Sequence, residues 1–188
     1  MVTPEQRAVE AAAVAGTGPV PTAVVWDALA GVPDPEIPAI SIVELGIVRA
    51  VAWSAGRLRV EVTPTYSGCP ATELIATLIR ERLAAIGLPD VDLVTRLSPP
   101  WTTDWLTPEG RAKLAAFGIA PPQGERTAAA ARVDVAGISP LRRARDEVAC
   151  PRCGSTRTAL LAQFGSTACK ALYRCESCRE PFDYFKPH

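Results

Sequence analysis

Leu58, Val60 and Val62 alternate with Arg57, Arg59 and Glu61, the period of two expected of a strand with one buried and one wet face. Ile47 to Trp53 predicts a partner strand, and Ser54-Ala55-Gly56 between the two runs is a hairpin signal. A sheet wet on one side needs a cover on the other. Pro70 to Ile86 supplies one, because Leu74, Ile75, Leu78, Ile79, Leu83 and Ile86 recur at helical spacing, with proline in the first turn and Gly87 past the end. Val91 to Leu97 predicts a third strand. A short helix is expected from Thr22 to Ala30, with Thr22 as cap and Val24, Val25, Ala28 and Leu29 as its apolar positions. The order helix, hairpin, helix, strand predicts an α+β fold, a small two-layer helix-on-sheet domain rather than a doubly wound sheet.

The breaks in this pattern set the organisation. Pro33-Asp34-Pro35-Glu36-Ile37-Pro38 carries three prolines in six residues, which cannot continue a helix and predict an extended loop. A capped helix is expected from Thr107 to Phe117 despite Gly110. Ahead of it, Trp101-Thr102-Thr103-Asp104-Trp105 fits either a surface patch for a partner or a lid over a small core. From Gly118 to about Ala149 the chain is rich in proline, glycine and alanine. Four parts are therefore expected: a flexible N-terminus at 1–21, the α+β domain at 22–118, a linker or arm at 119–146, and a cysteine-bearing module at 147–188.

Composition narrows the chemistry. With 188 residues, 48% of them hydrophobic, the chain can bury one ordinary core and a small appendage. Its formal net charge is zero, so the chain as a whole presents no nucleic-acid or acidic-substrate surface. The last part is locally basic, with nine Lys and Arg against five Asp and Glu from Arg142 to His188. No run approaches the roughly 18 apolar residues of a membrane span. The Ala-rich N-terminus carries Glu5 and Glu10 and lacks a basic-then-apolar order. A soluble, cytoplasmic protein with no membrane partner is expected.

Five of the six cysteines fall from Cys150 onward. Cys150-Pro-Arg-Cys153 and Cys175-Glu-Ser-Cys178 form two C-x2-C pairs with 21 residues between them, close to the spacing of a zinc ribbon. Each pair aims two thiolates at one ion, and an intervening hairpin, expected from Thr158 to Phe164 and Lys170 to Arg174, closes the tetrahedron. A tail this short needs such a staple. Structural zinc is the expectation, and a rubredoxin-type iron site is its alternative. A thioredoxin-like reading of Cys-Pro-Arg-Cys is disfavoured by the second pair. Four thiolates around a dication lower the local charge by about 2, and no aromatic-basic stripe accompanies them, so the module predicts a protein partner rather than nucleic acid. Cys169 has no mate at ligand spacing and is expected to be a packed or partly exposed residue of the hairpin.

Cys69 stands apart in Thr-Pro-Thr-Tyr-Ser-Gly-Cys-Pro (63–70). A helix starting at Pro70 would lower its pKa through backbone N–H groups and the helix dipole, favouring a thiolate that binds metal or attacks an electrophile; a buried cysteine at a strand-to-helix corner is equally compatible. Asp34 and Glu36 form a candidate acidic site, and Thr65 and Ser67 complete the candidate functional loop. The single histidine is His188, so no Cys/His dyad is assignable and no catalytic residue is predicted.

Two stretches together carry a resemblance. Asp-Pro-Glu-Ile-Pro-x-Ile-Ser-Ile-Val-Glu-Leu-Gly-Ile-Val (34–48) and residues 63–70 resemble the small domain of SufT-type iron–sulfur assembly accessory proteins. The tail, Cys-Pro-Arg-Cys-Gly-Ser followed by Phe-Gly-Ser-Thr-Ala-Cys-Lys-Ala-Leu-Tyr-Arg-Cys-Glu-Ser-Cys, is similar to that of the PaaD (PaaJ) subunit family of the phenylacetyl-CoA epoxidase system. The resemblance implies a noncatalytic accessory role in aerobic phenylacetate degradation, beside a di-iron oxygenase and an iron–sulfur flavoprotein reductase. It implies help in maturing or repairing a metal centre there, with Cys69 as a transient iron–sulfur ligand, Asp34 and Glu36 as the family's acids, and Cys150, Cys153, Cys175 and Cys178 as the ribbon ligands. A homodimer pairing two Cys69 residues would supply further cluster ligands. An electron-transfer component using the four-cysteine metal is the competing expectation.

Overall fold

The computed structural model describes residues 20–122 and 148–187. The chain divides into two units, one ending at Gly110 and the other beginning at Arg111.

In the first unit, helix α1 (Thr22–Ala30) follows Pro21, and Val25, Ala28 and Leu29 are its buried residues. Thr22 lies inside the helix rather than capping it. Pro21 takes the cap position, with no side-chain hydrogen bond, because its fixed φ is already suited to a helix entry. The proline loop then folds back on itself through a bridge between Pro33 and Ser41, burying Ile37, Ile40 and Ile42. Ser41 and Glu44 stabilise the next turn reciprocally. The Ser41 N–H donates to Glu44 Oε2 at 2.9 Å and the Glu44 N–H to Ser41 Oγ at 3.1 Å, which is a capping-box exchange.

Strands β1 (Val48–Ser54) and β2 (Arg57–Val62) are antiparallel. Their turn has two residues rather than three: Ala55 and Gly56 both adopt positive φ, 48° and 77°, the type I′ geometry that matches strand twist. Leu58, Val60 and Val62 are buried, as their alternation requires. Helix α2 (Thr72–Ala85) connects β2 to β3 (Val91–Thr95), which runs parallel to β2, so the sheet order is β1-β2-β3. The apolar stripe of α2 is narrower than its sequence suggests. Ile75, Ile79 and Leu83 are buried, one per turn along a single line, whereas Leu74, one position off that line, is 50% exposed. Helix α1 packs against α2 and β1, and the Arg82 guanidinium closes the gap between the helices by donating to Ala28 O at 3.1 Å. The result is a helix-on-sheet, two-layer α+β unit.

The Trp101–Trp105 segment is a lid over the core. Trp101 is buried and its indole N–H donates to Leu45 O at 3.0 Å, while the Arg49 guanidinium sits 3.4 Å from the Trp105 ring centroid. Helix α3 (Pro108–Ala116) follows, with Thr107 Oγ accepting the Gly110 N–H at 3.0 Å as its cap.

The second unit holds β4 (Ile119–Ala120), β5 (Thr158–Ala162), β6 (Lys170–Cys175) and β7 (Pro181–Phe185) in the order β4-β7-β6-β5. Ile119 and Ala120, which by sequence begin the expected linker, pair in parallel with Asp183 and Tyr184. Most of that linker, 123–146, lies outside the described residues, as do the N-terminal residues 1–19. Ala120, Val148, Cys150, Ala171, Cys175, Phe182 and Tyr184 form one buried cluster, and Leu114, Ile119, Cys169 and Phe185 are buried as well. Two residues of the cluster, Cys150 and Cys175, are sulfur ligand candidates.

Gly46 and Gly56 distinguish two kinds of glycine requirement. Both have positive φ, but a Cβ at Gly46 would overlap the Trp105 backbone and one at Gly56 would meet nothing. Gly56→Ala should therefore cost only the left-handed backbone penalty, about 1–2 kcal/mol. Gly46→Ala should cost that and the displacement of the Trp105 lid. Thermal melts check this: the Tm of Gly46→Ala should fall well below that of Gly56→Ala, and equal values would contradict the packing described.

Candidate metal centre and the Cys69 corner

Each C-x2-C pair is shaped by a tight turn. After Cys150 the chain closes through the Gly154 N–H to Cys150 O and the Cys150 N–H to Ser155 O, both 2.9 Å, with Gly154 at φ 72°. After Cys175 the corresponding closure is the Cys175 N–H to Glu180 O at 3.0 Å, with Arg179 at φ 69°. The two turns are tied together, since Ser155 Oγ and Ser177 Oγ lie 2.8 Å apart and the Arg157 guanidinium donates to Ser177 Oγ at 2.9 Å.

The sulfurs of Cys150, Cys153, Cys175 and Cys178 all lie within 4.8 Å of one another. Cys150 Sγ and Cys178 Sγ are 3.8 Å apart, and Cys153 Sγ and Cys175 Sγ 3.6 Å. A tetrahedral ion with metal–sulfur bonds of about 2.3 Å requires sulfurs about 3.8 Å apart, so the donor set fits one such ion. The turn also prepares the charge. The N–H of Cys178 and then that of Ser177, each 3.4 Å from Cys175 Sγ, hold the Cys175 thiol down at about 6 against its burial, helped by the neighbouring sulfurs of Cys153 and Cys178. Cys178 is exposed as a residue, yet its sulfur faces the other three. The Glu180 N–H pulls its thiol down, but desolvation and the Cys175, Cys150 and Cys153 sulfurs push it up to about 11. Binding a metal requires thiolates and releases their protons, and the backbone donors at Cys175 favour that form.

Cys169 is buried, with its sulfur 3.0 Å from Thr167 Oγ, and is not one of the four clustered sulfurs.

The Cys69 corner departs from what the sequence suggests. Helix α2 begins at Thr72, not Pro70, so Cys69 lies in the turn before it. Thr72 holds that turn, its hydroxyl donating to Cys69 O at 2.9 Å and its N–H to the same oxygen at 3.3 Å. The Cys69 thiol is pushed up, not down. Burial is the main cause; the Ala71 N–H and the Thr72 hydroxyl oppose it, while the charges of Glu36 and Asp34 raise it further. The fold thus brings the proline loop to the same corner as Cys69, a juxtaposition that the sequence separation of these residues conceals. Within that loop Asp34 has a structural task. It is buried, and its Oδ1 accepts the N–H groups of Glu36 at 2.9 Å and Ile37 at 2.8 Å. Glu36 is half-buried, Thr65 is buried and Ser67 is exposed. Thr72 escapes a reading of the sequence; a threonine three residues after the cysteine of Gly-Cys-Pro, opening an apolar-periodic run, is the available signal.

An α+β unit bearing a cysteine beside an acidic proline loop, followed by a β-ribbon with four converging thiols, defines a class: an iron–sulfur-assembly-type domain joined to a metal-binding ribbon. Residues 22–95 match the family model described as iron-sulfur cluster assembly protein, and residues 136–186 match the PaaD zinc beta ribbon domain. The chain is 49% identical over 162 residues, 86% of its own length and 90% of the relative's, to a subunit of the "Putative 1,2-phenylacetyl-CoA epoxidase" from Escherichia coli (strain K12). It belongs to the PaaD family of phenylacetyl-CoA epoxidase subunits. Among solved structures, a domain of unknown function (DUF59) from Bacillus anthracis aligns over 49% of this chain and 89% of its own, with 23% identity and a TM-score of 0.46. A conserved hypothetical protein from Thermotoga maritima aligns over 50% and 94%, with 30% identity and a TM-score of 0.44. Among the described residues no helix is long and apolar enough to cross a membrane.

The raised Cys69 pKa has a measurable sign. Its alkylation by iodoacetamide should be slow at pH 7 and accelerate as the pH rises toward and past the usual thiol range, because only the thiolate reacts. Glu36→Gln removes one carboxylate charge and should speed alkylation of Cys69 at pH 8. Peptide mapping of the metal-loaded protein measures both, and an unchanged or slower rate in Glu36→Gln would contradict the electrostatic coupling.

Proposed function

We propose that this protein is a noncatalytic accessory subunit of the phenylacetyl-CoA epoxidase system, which helps mature or repair an iron–sulfur or di-iron centre in a partner subunit during aerobic phenylacetate degradation in the cytoplasm. Cys69 acts as a transient ligand of the cluster or iron being delivered, with Glu36 beside it and Asp34, Thr65 and Ser67 shaping the loop. Cys150, Cys153, Cys175 and Cys178 hold a structural zinc ion that folds the ribbon for docking on the oxygenase or reductase subunit.

One observation carries this reading: the thiol of Cys69 and the carboxylates of Glu36 and Asp34 act on one another at a single corner of the assembly-type unit, while the four-sulfur centre is built from other residues in the second unit. A structural metal and a site for passing cargo call for separate ligand sets of this kind. A raised thiol pKa suits cargo that must leave, since a basic thiolate is readily reprotonated once the iron moves on. A single thiolate cannot retain a cluster, which takes four protein ligands. The remaining ligands come from a second copy of the chain in a homodimer or from the client. An electron-transfer role would instead need redox-active iron among the four sulfurs, and a tetrathiolate geometry accepts iron as well as zinc.

Metal analysis separates these two roles: the purified protein should be colourless with about one zinc ion per chain, and a red, redox-active iron form would favour electron transfer. Cys69→Ala should retain its zinc and its melting temperature, while an epoxidase complex assembled with it should contain several-fold less iron. A variant destabilised by ~1–2 kcal/mol whose client is fully metallated would make Cys69 a packing residue. Cys175→Ser should release zinc and loosen the chain from about residue 149 onward, leaving the melting of the α+β unit in place; loss of helix and sheet signal throughout would contradict two independently folded units.

A further inference from the structure

Strand β5 is at the edge of the ribbon sheet, and among the described residues it pairs only with β6. Its register slips between Leu160 and Ala162. This bulge breaks the in-out alternation and leaves the consecutive residues Leu160 and Leu161 47% and 51% exposed. Beyond them, at the tip of the hairpin, Phe164 is 67% exposed. An exposed aromatic at a hairpin tip is usually a mobile one, yet this one is braced. Lys186 Nζ sits 4.4 Å from the Phe164 ring centroid and donates to Gln163 O at 3.2 Å. The next residue's N–H, that of Gly165, donates to Lys170 O at 2.8 Å. Ser166 Oγ donates to Asp183 Oδ2 at 2.9 Å, and the buried Lys170 ammonium lies 3.6 Å from the same oxygen. Asp183 is thereby neutralised internally, and a tip residue with nothing beneath it to cover is held in one place.

Positive charge predominates around these apolar residues, with Arg152, Arg157, Arg174 and Arg179 exposed against Glu176 and Glu180. From Arg152 to Arg174 the chain carries Arg152, Arg157, Lys170 and Arg174 and neither Asp nor Glu; Arg152, Arg157 and Arg174 are exposed, and Arg174 pairs in register with Ala159 of β5. An open strand edge, two half-exposed leucines, a braced aromatic and a predominantly cationic surround complement one kind of occupant. We propose that the β5 edge is the surface by which the ribbon docks on its partner, and that it receives an acidic protein segment in extended conformation whose apolar side chains pack on Leu160, Leu161 and Phe164. Backbone pairing along β5 supplies the register, the aromatic anchor most of the affinity, and the arginines the encounter rate and the rejection of basic surfaces. The aliphatic pair favours a protein over a nucleic acid, which would stack on Phe164 but find no use for a strand edge.

This surface rests on the accessory reading above, and the test separates the two. The zinc-loaded full-length chain is titrated against the purified oxygenase and reductase subunits at low and moderate salt, as wild type, Phe164→Ser and Arg174→Glu, with zinc content confirming that each ribbon is folded. Phe164→Ser should weaken binding at least tenfold at either salt concentration. Arg174→Glu should slow association several-fold at low salt and much less at higher salt. Hydrogen exchange of Thr158–Ala162 should slow at least tenfold in the complex. Tight wild-type binding that Phe164→Ser retains, or unprotected β5 amides in the complex, would overturn the docking surface while leaving the accessory role standing. Absence of wild-type binding to any subunit would overturn both. Binding of a single-stranded 12-mer oligonucleotide that Phe164→Ser abolishes would assign the surface to nucleic acid and overturn the proposal.

Discussion

Four cysteine sulfurs held within 4.8 Å of one another across two turns cannot all be thiolates without a cation among them, and the second unit is organised around that requirement. Two cysteines of the centre itself, Cys150 and Cys175, sit in its core. A unit this small gains little from apolar burial against the entropy of ordering four strands. The ion supplies the difference, as it does in small metal-folded domains generally. The strands inherit their placement from the two turns. Strand β6 ends at Cys175, β7 begins after the turn that follows Cys178, and β5 starts opposite Cys175 in the register. The braced tip around Phe164 depends on this arrangement, because Lys170 and Asp183 meet only when β6 and β7 are paired.

The first unit solves a different problem. A loop with three prolines lacks three backbone donors, so it cannot hold its shape through a strand ladder. Asp34 substitutes for one. Its carboxylate accepts two successive N–H groups, and the loop closes against Ser41 with its isoleucines buried. The consequence lies at the other side of the loop, where Glu36 and Asp34 reach the field of Cys69 and raise its pKa. A raised thiol pKa leaves less of the reactive thiolate at neutral pH. The two units thus place sulfur in opposite settings, one clustering four thiols and the other holding a single thiol against burial and two carboxylates.

Much of this was legible along the chain. The period-two alternation of Arg57–Val62, the helical spacing from Ile75 to Leu83, the hairpin signal at Ser54-Ala55-Gly56 and the two C-x2-C pairs are local signals. Each arises from forces acting within a few residues, namely steric limits on φ, side-chain direction and the reach of two thiols across a turn. They were enough to determine a helix-on-sheet unit, a four-sulfur ribbon and the family resemblance. Leu74 shows where the local signal stopped. It repeats at helical spacing like its neighbours, and only the position of the sheet beneath α2 leaves it in water.

The tertiary structure decided the chemistry of Cys69. From sequence, a cysteine before a helix whose first turn holds a proline reads equally as an activated thiolate or as a buried corner cysteine. The helix starts two residues later, burial removes water from the sulfur, and two carboxylates arrive from a loop more than thirty residues upstream. Desolvation and Coulomb interactions depend on distance through space, and no spacing rule along a chain encodes them. The same reason hid the role of Asp34, which turns inward to backbone donors, and the β5 edge, whose openness is a property of strand order. Residue types and their local periods determined which elements form and which metal geometry is possible; which thiol is acidic, which carboxylate is structural and which strand is left open were decided by packing.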